Sequence, residues 1–225
     1  MSDDNSVIYV TRHGLREDWA NKEWRMTATR KSDPPLSSDG FNVAIDLGEE
    51  CLKHRQDIKH ILCSPMERCV QTATEIAKRL NLTIKLEYGC IEWLGPAPED
   101  HLEPLSVDEL SRLYPIDLSY KPSTTFIPHA ESIQDLSIRT KKFVEYVKET
   151  YKGESVIIVT HAATLISICR NVINDKSYPF RSGVCSLTKF VHDSTTESQW
   201  KVDFAGLATY LRGGEQYHWT FPQGQ

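Results

Sequence analysis

The sequence predicts an α/β fold with a mainly parallel central sheet flanked by helices on both faces. Two observations predict it. Residues 6–11 (SVIYVT), 58–63 (IKHILC) and 155–160 (SVIIVT) are short β-branched runs without polar alternation, the pattern of strands covered on both faces. Helix-period segments follow the second and third runs, and strands alternating with helices build parallel layers. With 225 residues, 40% hydrophobic and 25% charged, the chain has enough apolar material for one such domain over 1–225.

Taken in order, the first strand, 6–11, is followed by a long loop over 15–35. That loop carries Arg16, Trp19, Trp24, Arg25, Arg30 and Lys31 and ends in Asp-Pro-Pro. Residues 36–54 (LSSDGFNVAIDLGEECLKH) read as an amphipathic helix. After the strand at 58–63, Ser64 is a natural N-cap and Pro65 a first helical residue for a helix over 65–80. Residues 94–129 are proline-rich around one helical piece, VDELSRLY, and read as a cap-like insertion over the carboxyl ends of the strands. A helix over 131–151 follows, with Ile133, Leu136, Thr140, Phe143, Val144 and Val147 as its inward stripe. Residues 162–173, after the third run, are apolar enough for a buried helix. The remainder reads as strands: CSLTKFVH, WKVDFAGLA and a closing HWTF.

Composition excludes some functions. A net charge of −5 argues against direct nucleic-acid binding over a broad surface. No run approaches the roughly 18 apolar residues of a membrane helix. The start, MSDDNSVIYV, lacks the basic and apolar regions of a secretory leader, so an intracellular protein, cytoplasmic or nuclear, is expected. The six cysteines form no Cys-x-x-Cys pair and no zinc spacing with histidine, and read as reduced, packed thiols.

Sites in open α/β sheets lie at the carboxyl ends of strands. His13 occupies that end of the first run and His161 that of the third. Arg12 precedes His13, and Arg68 opens the helix after the second run. If those strands are neighbours, two histidines and two arginines converge. Arginine offers planar donors to phosphate oxygens, and adjacent cations keep His13 neutral and nucleophilic. Cysteine-phosphatase chemistry is excluded by spacing: Cys63 to Arg68 is Cys-x4-Arg, one residue short of Cys-x5-Arg. No clustered Asp and His set stands at a strand end, so neither a metal nor another cofactor is expected.

Thr-Arg-His-Gly after a strand, Pro-Leu-Ser-x-x-Gly at 35–40, Ser-Pro-x-x-Arg-x-x-Gln-Thr-Ala at 64–73, Glu131-Ser132 with Arg139, and Val-Thr-His at 159–161 together resemble the histidine phosphatase (phosphoglycerate-mutase-like) superfamily. The resemblance covers most of the chain, in order. It implies His13 as the nucleophile that becomes phosphohistidine, Arg12 and Arg68 as the phosphate clamp, and His161 as a donor to the phosphoryl oxygens. Glu92, in GCIEW, falls where phosphatase branches keep a general acid/base, although Glu87, Glu99 and Asp100 lie nearby. Arg16 matches an extra phosphate-binding residue of some branches, or is a surface arginine. CSPMERCVQTA and LSVDEL…YKP resemble the phosphatase domain of the suppressor-of-T-cell-receptor-signalling proteins. RSGVCSL and GGEQYHWTF resemble the histidine-phosphatase domain of a fungal transcription factor IIIC subunit.

The resemblance implies hydrolysis of phosphomonoesters, phosphotyrosine-type or small-molecule. Departures from the pattern are Val43, where many members have glutamine, and Ala162-Ala163, where mutases have Gly-Asn. The second departure counts against a mutase. Alternatives are a low-activity scaffold or complex subunit on the same fold and, below it, a mutase or sugar-bisphosphatase. The partners expected are a phosphorylated small molecule or phosphopeptide and no membrane, with a homodimer or protein complex left open.

Overall fold

A computed structural model describes residues 5–99 and 101–221. Asp100, one of the carboxylates considered beside Glu92, and the opening residues 1–4, read for a leader, lie outside the described residues. In chain order the elements are β1 (Val7–Arg12), α1 (Glu17–Ala20), α2 (Trp24–Thr27), α3 (Ser38–Lys53), β2 (His60–Cys63), α4 (Glu67–Leu80), β3 (Ile84–Leu86), α5 (Val107–Leu113), α6 (Ile133–Thr150), β4 (Ser155–Thr160), α7 (Ala162–Ile173), β5 (Leu187–His192) and β6 (Trp200–Leu207).

The strands form one six-stranded sheet in the order β3-β2-β4-β1-β5-β6. β1, β2, β3 and β4 run parallel, and β5 and β6 close one edge antiparallel. Both faces are covered, as the unbroken apolar runs require. Along β1 and β4 alternate side chains enter opposite cores. Tyr9, Ile157 and Val159 meet Val43 and Leu47 of α3 and Val70 and Ile76 of α4. Ile8, Val10, Val156 and Ile158 meet Phe143 and Val147 of α6 and Leu165 and Ile168 of α7. The α6 stripe is buried as its spacing predicts, except that Ile133 at the first turn is only half-buried.

The structure departs from the sequence expectations in four places. The 15–35 loop contains two one-turn helices, α1 and α2. β3 has three residues, too few for any periodicity. HWTF at 218–221 is not a strand: among the described residues it has no ladder partner, and its rings pack on other aromatics. Finally, Ser64 and Pro65 do not open α4. The helix starts at Glu67 after Met66, and its first N–H, of Glu67, donates to the carboxylate of Asp33 at 2.9 Å.

Two glycines set the approach of the β1 exit to α3. A Cβ on Gly40 would lie 2.1 Å from the Leu15 carbonyl oxygen, and one on Gly14 would lie 2.6 Å from the Gly40 carbonyl oxygen. The Ser37 hydroxyl caps α3 by accepting from Gly40 N at 3.0 Å. The 94–129 insertion is held at several points. Ile116 bridges Ile84 at the β3 edge, Leu102 packs on Met66 and Ile91, and the buried Glu87 accepts from Tyr120 and Ser123.

Candidate active site

Register decides the centre of the site. Arg12 pairs with Thr160 across β1 and β4, and Cys63 of β2 pairs with Val159. His13 and His161 therefore emerge level with each other, with Ser64 one residue behind, level with Thr160, and the three strand exits are tied by His13 N to Thr160 O and Ser64 N to Val159 O, both 3.0 Å. The two imidazoles stand 5.3 Å apart, centroid to centroid, at 61°.

His13 is buried. Its Nδ1 lies 2.7 Å from the Gly14 carbonyl oxygen, which assigns the proton to Nδ1 and leaves Nε2 with a free lone pair. Burial, together with the charges of Arg68 and Arg12, holds its pKa well below the usual histidine value, so the ring is neutral at pH 7. His161 is also buried, which lowers it to about 4 against the pull of Glu92. The Ser64 hydroxyl sits 2.8 Å from His161 Nε2 and serves either tautomer, since a hydroxyl both donates and accepts.

Arg68, in the first turn of α4, is 1% exposed. Its Nη1 donates to Asp33 at 3.2 Å and its Nη2 to Glu92 at 3.3 Å. Asp33 is shared with Arg30 at 2.5 Å, and Arg30 also pairs with Glu67. Arg12 donates through Nη1 to the Ser182 carbonyl at 2.9 Å and the Tyr217 carbonyl at 2.6 Å. Burial lowers it to about 10, and it stays charged at neutral pH. Both guanidiniums keep a buried Nε that, among the described residues, has no hydrogen-bond partner. An orphaned buried cationic donor is costly; two of them beside a neutral imidazole form a receptor for an oxyanion.

Glu92 completes the cluster, 3.2 Å from His161 Nδ1 and accepting from Trp93 N at 3.0 Å. Burial alone would raise its pKa, but His161 and Arg68 outweigh that and hold it well below the carboxylate range. The loop that bears it is fixed from behind. Arg139 donates to the Gly89 and Ile91 carbonyls and is clasped by Glu131, while Thr160 and Thr164 donate to the Cys90 and Ile91 carbonyls.

The structure thus brings together Arg12, His13, Arg68, Glu92 and His161. Arg16 lies beside Arg12, the two guanidiniums over the Trp19 ring at 5.1 and 5.3 Å, and is bidentate to Asp18 at 2.9 and 2.6 Å. Of the neighbouring carboxylates, Glu87 is occupied in anchoring the insertion. Sequence reasoning missed Asp33 and the Ser182 and Tyr217 carbonyls. It also left unexplained the Gln-Thr of 64–73, where Gln71 accepts from Leu36 N and Thr72 from Gly14 N. A main-chain carbonyl carries no residue signal; Asp33 had only its Asp-Pro-Pro setting.

His13, Glu92 and His161 each offer one ligand atom within 4.8 Å of the others, a donor set of the kind metals use. The sequence had predicted no clustered ligands at a strand end. Arg12 and Arg68 in the same space oppose a bare cation and favour an anion.

A parallel α/β sheet with paired arginines and paired histidines at its strand ends defines an oxyanion-binding protein with a histidine at its centre. The chain belongs to the histidine phosphatase superfamily (branch 1), whose sequence profile matches residues 8–205. It is 28% identical over 255 aligned positions to the transcription factor tau 55 kDa subunit of Saccharomyces cerevisiae, covering 96% of this chain and 58% of that protein. It is 29% identical to the ecdysteroid-phosphate phosphatase of Drosophila melanogaster, covering 75% of this chain and 27% of that one. The chain therefore spans less than two thirds of either relative. The crystal structure of the ecdysone phosphate phosphatase of Bombyx mori in complex with tungstate superposes with a TM-score of 0.69 at 22% identity, covering 90% of this chain and 93% of that one.

Proposed function

We propose that the chain is a single histidine-phosphatase domain that hydrolyses phosphomonoesters through a phosphohistidine on His13. The observation that carries this reading is the pair of buried Nε donors, on Arg12 and Arg68, that have no partner among the described residues and flank a neutral His13. The phosphoryl group sits between the guanidiniums, with His161 donating to its oxygens. The His13 Nε2 lone pair attacks phosphorus, and the ester P–O bond breaks as Glu92, which has taken up the proton carried in by the ester monoanion, passes it to the leaving oxygen. Glu92, now a carboxylate, takes a proton from water. The water oxygen attacks phosphorus, the P–N bond breaks, and orthophosphate leaves with His13 restored. Preorganised cations at the developing charge supply most of the acceleration. In this reading 15–35 is the active-site loop, with Arg16 a phosphate-side charge held off by Asp18, and 94–129 covers the site.

The substrate is a phosphorylated small molecule or a phosphopeptide in the cytoplasm or nucleus. No helix among the described residues is long and apolar enough to cross a membrane. A second reading, a weakly active subunit of a protein complex, is favoured by the similarity to the tau 55 kDa subunit. Turnover of p-nitrophenyl phosphate separates the two. The enzyme reading expects hydrolysis that persists in chelator, is blocked by vanadate and is lost in His13→Ala. A folded protein inert from pH 5 to 8 establishes the scaffold instead.

A further inference from the structure

Residues 216–221 do no chemistry in the steps above, yet they touch both sides of the site. The Tyr217 carbonyl accepts from Arg12 Nη1 at 2.6 Å. The Tyr217 ring stacks on Trp19, 4.9 Å apart and 10° from parallel. Trp19 in turn lies 5.3 Å beneath the Arg12 guanidinium and 6.1 Å from the His13 ring. Two and four residues on, Trp219 and Phe221 pack on Trp93 at 6.4 and 5.6 Å, and the main-chain N–H of Trp93 holds the Glu92 carboxylate.

The stretch is itself anchored. Val184 N donates to the Gln216 carbonyl at 3.0 Å, Ser182 N to His218 Nδ1 at 3.2 Å, and the Ser182 hydroxyl to the Trp219 carbonyl at 2.7 Å. The main chain at Tyr217 has φ +51°, a left-handed conformation that a non-glycine residue holds only when its surroundings compel it. That conformation delivers the carbonyl to Arg12 while the ring lies on Trp19.

From this geometry we infer that Tyr217 is a positioning residue of the phosphate clamp: its carbonyl and ring together hold Arg12 and Trp19 so that Arg12 Nε faces the phosphoryl oxygens. The inference rests on the phosphatase reading for what is bound, not for whether it turns over. With Nη1 committed to two carbonyls, the guanidinium is held in place, and its edge bearing Nε, which has no partner among the described residues, is left for the anion. Tyr217 stacks on the Trp19 ring that Arg12 and Arg16 also lie over, and a cation over an indole strengthens as water is excluded.

The test uses the full chain with Tyr217→Gly, Tyr217→Phe, Trp19→Ala and the Tyr217→Gly/Trp19→Ala double variant. Glycine suits φ +51° and keeps the carbonyl while removing the ring; phenylalanine keeps the stack. Orthophosphate affinity is measured by calorimetry, KM and kcat with p-nitrophenyl phosphate, and folding by thermal unfolding. The expected result for Tyr217→Gly is a weakening of orthophosphate binding of about three- to tenfold, the size of one aromatic pair. KM should rise equally with kcat within twofold, Tyr217→Phe should restore both, and the double variant should be no worse than the poorer single one. Unchanged orthophosphate affinity in Tyr217→Gly overturns the inference, as does loss in kcat alone or an equal loss in Tyr217→Phe. Wild-type protein that binds orthophosphate in a Tyr217-dependent way but never hydrolyses an ester upholds the inference and sinks the enzyme reading.

Discussion

Arg12 and Thr160 are register partners on adjacent parallel strands, and for that reason His13 and His161 face each other 5.3 Å apart. Neither histidine is placed by a loop. Each follows directly on a strand whose inward side chains are locked into two cores, so the separation of the rings is set by interstrand spacing and does not depend on loop order.

His13→Ala should abolish turnover by about 10⁴-fold or more, the scale seen when a nucleophile is removed, while the unfolding midpoint stays near that of the parent. Protein mixed with radiolabelled phosphoester and quenched in alkali, where the P–N bond of a phosphohistidine survives, should carry label in the parent and none in the variant. Label retained in His13→Ala would move the nucleophile elsewhere.

Glu92 is ionised in the unliganded site, so the proton for the leaving oxygen arrives with the ester monoanion. The second pKa of a phosphomonoester is near 6. Above it the monoanion is lost as pH rises, and kcat/KM should fall about tenfold per pH unit for an alkyl phosphate. Glu92→Gln should cost about 10²–10⁴-fold with that ester and far less with p-nitrophenyl phosphate, whose leaving group needs no proton. Equal losses on both esters would remove the acid role.

His13 and His161 both have folded pKa values below the unfolded histidine value of about 6.5. Above that pH neither state binds the proton and they contribute nothing. As pH falls below it the unfolded chain takes up protons that the folded site refuses, so stability declines, for His161 down to about 4. The limiting slope is about 1.4 kcal/mol per pH unit for each ring. Urea unfolding from pH 7 to 4 should show a shallower decline in His161→Asn than in the parent.

Asp33 is 1% exposed and holds Arg68, Arg30 and the first N–H of α4. Asp33→Asn removes one of the two carboxylates that balance the buried Arg68, leaving Glu92, and should cost about 1–3 kcal/mol of stability. Orthophosphate affinity should fall with it, because Arg68 loses a partner that fixes its rotamer. Calorimetry and thermal unfolding on the same sample check both.

Gly40→Ala should lower stability by about 1–3 kcal/mol, since its Cβ would overlap the Leu15 carbonyl and force the β1 exit off α3. Thermal unfolding measures this directly, and orthophosphate binding should weaken in parallel because His13 sits on that exit.

The sequence by itself determined the layer architecture, through β-branched runs that only a doubly covered sheet can bury, and named the five clustered residues through motifs at strand and helix ends. It misjudged Ser64, whose hydroxyl serves His161 where a helix cap was expected, and HWTF, whose rings pack on Trp93 where a strand was expected. In both cases a short polar or aromatic residue has several local partners of similar energy, and only packing selects one. The tertiary structure alone decided the Arg12–Thr160 register and the ion pairs of Asp33. It also placed the Ser182 and Tyr217 carbonyls that hold Arg12 from 170 and 205 residues away. Those contacts run through main-chain oxygens, which every residue carries, so no residue type announces them.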